Sequence, residues 1–255
     1  MQELIREYYT LEDGTKVPKI GFGCYNPRKQ DYVTIIKTAI DAGYRYFDTA
    51  SLYETERDLA RALKESGIDR KEVQIASKAW YDELGYEETK AAFNRTLERL
   101  ETDYLDFYML HWPKASEDDP DWKEKDRGAW KALTELKKAG KIRHIGTSNF
   151  LPHHLENLEK TTDCAVELDQ LELHIGYSQE LAREYCQKQG ILVQAWGPLG
   201  RGRMNDNRII QDMAAKYGKT FSQIAIRFLL QKGIMPIPKA STREQMVDNA
   251  NVFDF

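Results

Sequence analysis

Four side chains of unlike type fall where the chain should change direction. Asp48 and Tyr53 stand five residues apart in the stretch 43–53 (GYRYFDTASLY), Lys78 closes the run VQIASK, and His111 follows the run YLDFYML. A free phenol has a pKa of about 10 and is a poor acid at neutral pH. An ammonium beside it favours the phenolate and lowers that value. Lys78 can supply such a charge, Asp48 can hold Lys78 as its ion-pair partner, and a neutral His111 can donate a hydrogen bond to a substrate oxygen. Together these groups suit protonation of a developing alkoxide, which is carbonyl reduction or, in reverse, alcohol oxidation. No side chain carries a hydride, so this chemistry requires a cofactor. Taken singly, Tyr53 reads as a packing or surface residue, the Lys78–Asp48 pair as a structural salt bridge, and His111 as a satisfied core histidine. Only their convergence makes a site.

Convergence depends on the elements that carry them. After an Asp13-Gly14 pair, the strongest local hairpin signal, eight short apolar runs follow, at 19–23, 44–48, 73–78, 104–110, 142–146, 166–173, 191–196 and 234–237. Helical patterns separate them, at 31–42, 54–66, 86–100, 126–139, 152–159 and 179–188, with two after the seventh run (208–217 and 221–231) and one at 243–251. Strands alternating with helices specify a parallel sheet. Eight such units without a repeat period or linker fit a (β/α)8 TIM barrel, with the N-terminal hairpin closing its bottom and residues 1–255 forming one domain. Gly140, Gly190 and Gly233 stand where helices should end in left-handed caps. A barrel places its chemistry at the other ends of the strands. There the sequence sets Cys24-Tyr25, Asp48 and Tyr53, Lys78 and Trp80, His111-Trp112, Thr147-Ser148-Asn149, Gln170 and Glu172, Trp196 and Lys239.

Composition narrows the function classes. Hydrophobic residues make up 41% and charged ones 31%, and the net charge is -4, so nothing suggests the basic, clustered footprint of a nucleic-acid binder. The first ten residues carry charges where a signal peptide needs an apolar core, and no run approaches a membrane span. Three widely spaced cysteines without a CxxC point to a reduced, cytoplasmic chain. No heptads or exposed apolar helix stand out, which leaves a monomer as the default, acting on a small molecule with no nucleic-acid or membrane partner. The stretch 114–127 (KASEDDPDWKEKDR) reads as a solvated lid.

GYRYFDTASLY, Lys78 ending the third run, LDFYMLHWP, IGTSNF, LDQLELH, AWGPLG and the closing IPKAS resemble the aldo-keto reductases in order and spacing. So does the hairpin before Gly21-Phe-Gly, and the resemblance covers essentially the whole chain. It implies NAD(P)H-dependent reduction of aldehydes and ketones, with Tyr53 as general acid, Lys78 and Asp48 tuning it, and His111 orienting the carbonyl. Ser148, Asn149 and Gln170 would hold the nicotinamide carboxamide, Trp196 would stack on its ring, and Gly23 and Cys24 would lie beside the cofactor. Gly197, Leu199 and Gly200 would follow the pyrophosphate, and Lys239, Ser241, Gln245 and Asn249 would reach the adenosine end. Tyr25, Trp80 and Trp112, with His111, would line the substrate pocket. There is no GxGxxG, so this would be nicotinamide binding without a Rossmann fingerprint, and no metal is implied.

The sequence departs from the family pattern at four places. Trp196 stands where many members have a stacking Tyr, and an indole stacks equally well. Ala240 replaces a Ser that often follows the lysine. Gln245 takes the place where the family often has an Arg gripping the 2′-phosphate, which weakens bidentate recognition; Arg243 is two residues away. NADPH is therefore the expected cofactor, with NADH also usable. Family members usually continue past a segment like NVFDF into a further helix and tail, whereas this sequence stops at Phe255. Two other functions stay open: an aldolase using Lys78 as a Schiff-base nucleophile, and a nucleotide-binding sensor or regulatory subunit with little turnover.

Overall fold

A computed structural model describes residues 7–26, 30–114, 116 and 118–255. Strands β1 (Tyr8–Thr10) and β2 (Lys16–Pro18) form the antiparallel hairpin. Its loop runs over five residues, and Asp13 acts through its side chain, accepting from Thr15 N at 2.9 Å, rather than by making a two-residue turn with Gly14. Then β3 (Phe22–Gly23), β4 (Tyr46–Asp48), β5 (Gln74–Ala79), β6 (Leu105–Leu110), β7 (Ile142–Ser148), β8 (Leu168–Glu172), β9 (Leu192–Trp196) and β10 (Met235–Pro236) pair side by side in chain order, all parallel. Gly21 N and Gly23 N donate to the carbonyls of Pro236 and Pro238 at 3.0 and 3.1 Å, and these bonds close the ring. The expected barrel is the fold.

Helices α1 (Tyr32–Asp41), α2 (Glu56–Ser66), α3 (Tyr86–Leu100), α4 (Trp122–Lys138), α5 (Pro152–Glu159), α6 (Glu180–Lys188), α7 (Arg208–Tyr217), α8 (Phe221–Gln231) and α9 (Arg243–Ala250) lie between or after the strands. Their starts are set by side-chain caps: Asp31, Asn207, Thr220 and Thr242 each accept from backbone N–H groups of the first turn. Gly140, Gly190 and Gly233 adopt φ of +72°, +74° and +72° after α4, α6 and α8, as their positions require.

Successive side chains of a strand point to opposite faces, and this alternation builds two cores. Phe47, Ile75, Tyr108 and Leu110 face the helices and join the large outer cluster. Tyr46, Ala76, Phe107, Met109, Leu168, Leu192, Met235 and Ile237 point inward and pack with Val17 of the hairpin, Tyr9 and Leu11 joining from the side. Tyr9 also donates from its hydroxyl to Ile234 O at 3.1 Å. The hairpin thus plugs the bottom of the barrel with apolar side chains. One step of two residues higher, the inward positions become Asp48, Lys78, His111, Ser148, Gln170 and Gln194.

Two expectations need correction. The stretch 114–127 is not a solvated lid throughout. Helix α4 begins at Trp122, four residues before the expected start, and Asp126 is fully buried, with no hydrogen-bond partner for either carboxylate oxygen. Burial and the nearby Asp119 push the Asp126 carboxyl up to about 9. The second concerns exposed apolar helices. Ile209, Met213 and Tyr217 recur every four residues along α7 and are all exposed, so one helix does present an apolar face outward. Among the described residues, Cys24, Cys164 and Cys186 are free, and no helix is long and apolar enough to cross a membrane.

Candidate active site at the barrel mouth

Asp48 is the last residue of β4, Lys78 the penultimate residue of β5 and its last inward one, and His111 follows β6, so alternation sends all three into the same mouth. Lys78 is 0% exposed, and its ammonium donates to Asp48 Oδ1 and Oδ2 at 2.8 Å each and to Thr49 O at 3.0 Å. All three of its protons are therefore spoken for. Tyr53 ends a single 3₁₀ turn, Ser51–Tyr53, closed by Tyr53 N donating to Ala50 O at 3.0 Å. A buried contact between the hydroxyls of Thr49 and Thr55, at 2.9 Å, ties the base of that turn. The Tyr53 hydroxyl lies 3.4 Å from His111 Nε2, and the Lys78 ammonium is 5.3 Å from the centre of the Tyr53 ring. The four groups expected to converge do so.

Their electrostatics differ from expectation in one respect. Burial, then the charge of Asp48, push the Tyr53 phenol well above its ordinary value. Burial and the Asp48 charge outweigh the lowering anticipated from Lys78. Tyr53 thus keeps its proton across the neutral range, which suits an acid. Burial, then the Lys78 charge, hold His111 well below the ordinary imidazole value. The ring is neutral, and its Nδ1 is buried without a hydrogen-bond partner. A nucleophilic role for Lys78 does not fit an amine with no exposure and no spare lone pair.

A second polar corner adjoins the first. Asn149 sits just past β7 with φ of +63°, a left-handed conformation that Asn tolerates. Its amide donates to His111 O at 2.9 Å and to Ser148 Oγ at 3.1 Å, while its carbonyl accepts from Trp196 Nε1 at 2.8 Å. Ser148 Oγ donates to Gln170 O at 2.9 Å, and Gln170 Nε2 donates to Asp48 Oδ1 at 2.8 Å. Gln170 thus bonds Asp48 and Asn149 bonds His111 directly, while Ser148 and Trp196 join the network through them. Gln194, which the sequence reading passed over, extends the same chain: it accepts from Gln170 Nε2 at 3.1 Å and donates to the Tyr46 hydroxyl at 2.8 Å. Its place two residues below Trp196 on an inward-facing strand was the available signal.

The remaining expected residues lie along the rim. Gly197, Gly200, Arg201 and Gly202 have φ of +60°, +54°, +56° and +77°, so the chain past β9 makes repeated left-handed turns at mostly glycine positions, with Leu199 packed against the core. A Cβ at Gly200 would stand 3.2 Å from the His174 ring. Across the mouth, the Lys239 ammonium lies 6.0 Å from the Tyr32 ring centre, Ser241 Oγ donates to Gln30 Oε1 at 3.1 Å, and Asn249 is buried on α9. Gln245 Oε1 accepts from Ser241 N at 2.9 Å, so its carbonyl end is turned to its own loop. Gly23 is close-packed, since a Cβ there would meet Ile237 O at 3.3 Å. The Cys24 thiol is fully buried in the outer core, so a cofactor contact at that position would come from backbone alone. Aromatic rings ring the Tyr53 hydroxyl: Tyr25 at 5.1 Å from Tyr53, and Trp80 at 4.7 Å from His111, between ring centres. Trp112 is exposed beside them and makes no comparable stacking contact with Tyr53 or His111.

Comparison with known proteins places this geometry. Residues 19–255 match the model of the aldo/keto reductase family. Glyoxal reductase of Bacillus subtilis is 40% identical over 256 residues, covering 100% of this chain and 90% of that protein. Among solved structures, an aldo/keto reductase from Brucella melitensis superposes with a TM-score of 0.91 at 34% identity, covering 98% of this chain and 94% of that one. An aldo-keto reductase of Bombyx mori in complex with NADP gives 0.87 at 28% identity, covering 98% and 88%. With the family model spanning nearly the whole chain and the ring of eight strands carrying a polar mouth, this protein belongs to the aldo/keto reductase family.

Proposed function

We propose that the mouth of this barrel reduces small aldehydes and α-dicarbonyls, with Tyr53 as proton donor. The observation that carries the reading is the 3.4 Å approach of the Tyr53 hydroxyl to His111 Nε2 above the buried Lys78–Asp48 pair. A carbonyl oxygen seated between these two groups accepts a hydrogen bond from each when His111 carries its proton on Nε2. As negative charge grows on that oxygen, the Tyr53 proton moves to it. Burial and the Asp48 charge keep that proton on Tyr53 until the alkoxide develops to take it. Lys78 and Asp48 fix the floor under Tyr53, and the neutral His111 donates without competing as an acid.

The groove fits a nicotinamide dinucleotide. Its rim is bare backbone at Gly197, Gly200 and Gly202, with the exposed guanidinium groups of Arg201 and Arg203 beside it, which suits a pyrophosphate. Ser148, Asn149 and Gln170 would hold the carboxamide, Trp196 the ring face, and Gly23 and the Cys24 backbone its flank. Gly197, Leu199 and Gly200 would hold the pyrophosphate, and Lys239, Ser241, Gln245 and Asn249 the adenosine end. When bound, the reduced cofactor supplies the hydride. NADPH is the favoured form and NADH a usable one, because Gln245 offers an amide where a guanidinium would grip the 2′-phosphate. Tyr25, Trp80, Trp112 and His111 would line a pocket for a small, flat carbonyl. The name of the Bacillus relative, glyoxal reductase, supports a dicarbonyl.

The test is a tryptophan-fluorescence titration with NADPH and NADH, followed by oxidation rates across a panel of aldehydes, ketones and α-dicarbonyls. Quenching by both cofactors, with the highest kcat/KM on short aldehydes or dicarbonyls, is the expected result. Tight cofactor binding without turnover on any carbonyl would overturn the catalytic reading. NADPH outcompeting NADH by about a thousandfold in kcat/KM would overturn the relaxed cofactor preference.

A further inference from the structure

Glu83 lies outside the groups considered so far, on the 3₁₀ turn Tyr81–Glu83 that follows β5. A single oxygen of its carboxylate, Oε2, accepts two hydrogen bonds: from Ser51 Oγ at 2.6 Å and from Trp80 N at 2.9 Å. Its other oxygen accepts from Arg95 on α3 at 2.9 Å, and its backbone carbonyl accepts from the Thr89 hydroxyl at 2.9 Å. Burial alone would push this carboxyl up, but the bonds from Ser51, Trp80 N and Arg95 outweigh it and hold Glu83 below the ordinary carboxylate range. Ser51 opens the one-turn helix that ends in Tyr53, and Trp80 sets its ring edge-on to His111 at 4.7 Å. That turn has no side-chain cap of its own. A short turn with neither a cap nor a long hydrogen-bond ladder needs anchoring from outside, and beside the Thr49–Thr55 contact at its base the Ser51–Glu83 bond supplies it from a neighbouring strand end.

We propose that Glu83 is a positioning residue for carbonyl reduction, a clamp whose one oxygen holds the Tyr53 turn and the Trp80 wall at a fixed spacing around His111. This rests on the reading of Tyr53 as proton donor. Glu83 touches neither substrate nor cofactor. It acts on the relation of the phenol to the carbonyl seat, where a displacement of about 1 Å costs up to roughly a hundredfold in rate. What the site needs from it is an acceptor oxygen, and the charge serves chiefly to engage Arg95.

The test uses the full chain with NADPH and a short aldehyde, comparing Glu83→Ala, Glu83→Gln, Ser51→Ala and the Ser51→Ala/Glu83→Ala double variant, with Tyr53→Phe alongside. Glu83→Ala should lower kcat by roughly ten- to a hundredfold while cofactor affinity by fluorescence stays within about twofold of the parent. Glu83→Gln, which keeps an acceptor oxygen, should recover most of the loss, and Ser51→Ala should add little in the Glu83→Ala background. If Glu83→Ala does not fold, Ser51→Ala alone carries the test, since it removes one hydroxyl and should still lower kcat without moving cofactor affinity. Parent-like kcat in Glu83→Ala or Ser51→Ala, with Tyr53→Phe inactive, overturns the clamp and leaves the catalytic reading standing. So does a loss of cofactor affinity and melting temperature in step with activity, which marks a merely structural residue. An active Tyr53→Phe overturns both.

Discussion

The lower rim and the mouth of the barrel each bury a carboxylate, and they treat it in opposite ways. At the lower rim, Asp106 of β6 accepts from Ile75 N at 2.9 Å, Arg70 at 2.8 Å and Arg143 at 3.0 Å. Those two guanidinium groups reach in from the surface, with side chains 21% and 50% exposed, and each lies over the Tyr104 ring, 4.2 and 4.5 Å from its centre. The cations stay partly hydrated, so little desolvation is spent on them. At the mouth, Asp48 meets a lysine with no exposure at all. Burying both partners is seldom the cheapest route to stability, because desolvation can exceed the Coulombic gain. The difference separates a carboxylate that fastens strands from one that fixes a reactive group's surroundings.

Four experiments sharpen or break this contrast. The largest effect belongs to Tyr53→Phe, which should lower kcat for carbonyl reduction by roughly 10²- to 10⁴-fold with NADPH affinity unchanged, read by steady-state kinetics and fluorescence titration. Lys78→Met should come next, destabilising by about 3–5 kcal/mol in urea unfolding because Asp48 is left as an uncompensated buried charge. Asp48→Asn added to it should restore most of that stability but not activity. Asp106→Asn at the lower rim should lose only about 1–3 kcal/mol and keep kcat. Equal activity losses at Asp48 and Asp106 would erase the distinction.

A third buried carboxylate, Asp126 on α4, has no ion-pair or hydrogen-bond partner among the described residues. An unfolded Asp titrates near 4, whereas this one is held at about 9 in the folded chain. The folded state therefore holds the extra proton, and its stability declines as pH rises from about 4 towards about 9. Asp126→Asn should gain on the order of 1–2 kcal/mol at pH 8 and flatten that slope, measured as melting temperature against pH. A parent-like slope in the variant would refute the assignment. The smallest effect is expected from Gln245→Arg, which should raise the NADPH-over-NADH ratio of kcat/KM by about tenfold. Because Gln245 Oε1 also caps Ser241 N, the variant should lose that bond as it gains the guanidinium.

The barrel itself was legible in the sequence because eight short apolar runs alternate with helical patterns. Asp48, Lys78 and His111 could be placed because each closes or follows one of those runs, and Tyr53 by its distance from Asp48. The direction of the Tyr53 shift was not legible. It depends first on how deeply the folded mouth buries the ring and then on the Asp48 charge beside it, and burial is a property of the packed chain. Asp126 misled for the opposite reason: it lies in a strongly charged run, and only the early start of α4 turns its side chain inward. The exposed faces of Ile209, Met213 and Tyr217 were hidden because α7 keeps a helical spacing of apolar residues whether or not anything packs on them.

The ring of strands has one seam unlike the rest. Where β10 meets β3, the facing residues are Pro236 and Pro238, which accept from Gly21 and Gly23 but have no N–H to return. Every link across that boundary runs one way, and half the usual complement is missing. The N–H of Ile237 between them turns instead to Ala195 on β9. By hydrogen bonds this join is therefore the weaker one in the ring. It lies beside Gly23 and Lys239 on one flank of the mouth, whereas the Asp48–Lys78 foundation stands on the fully paired β4 and β5.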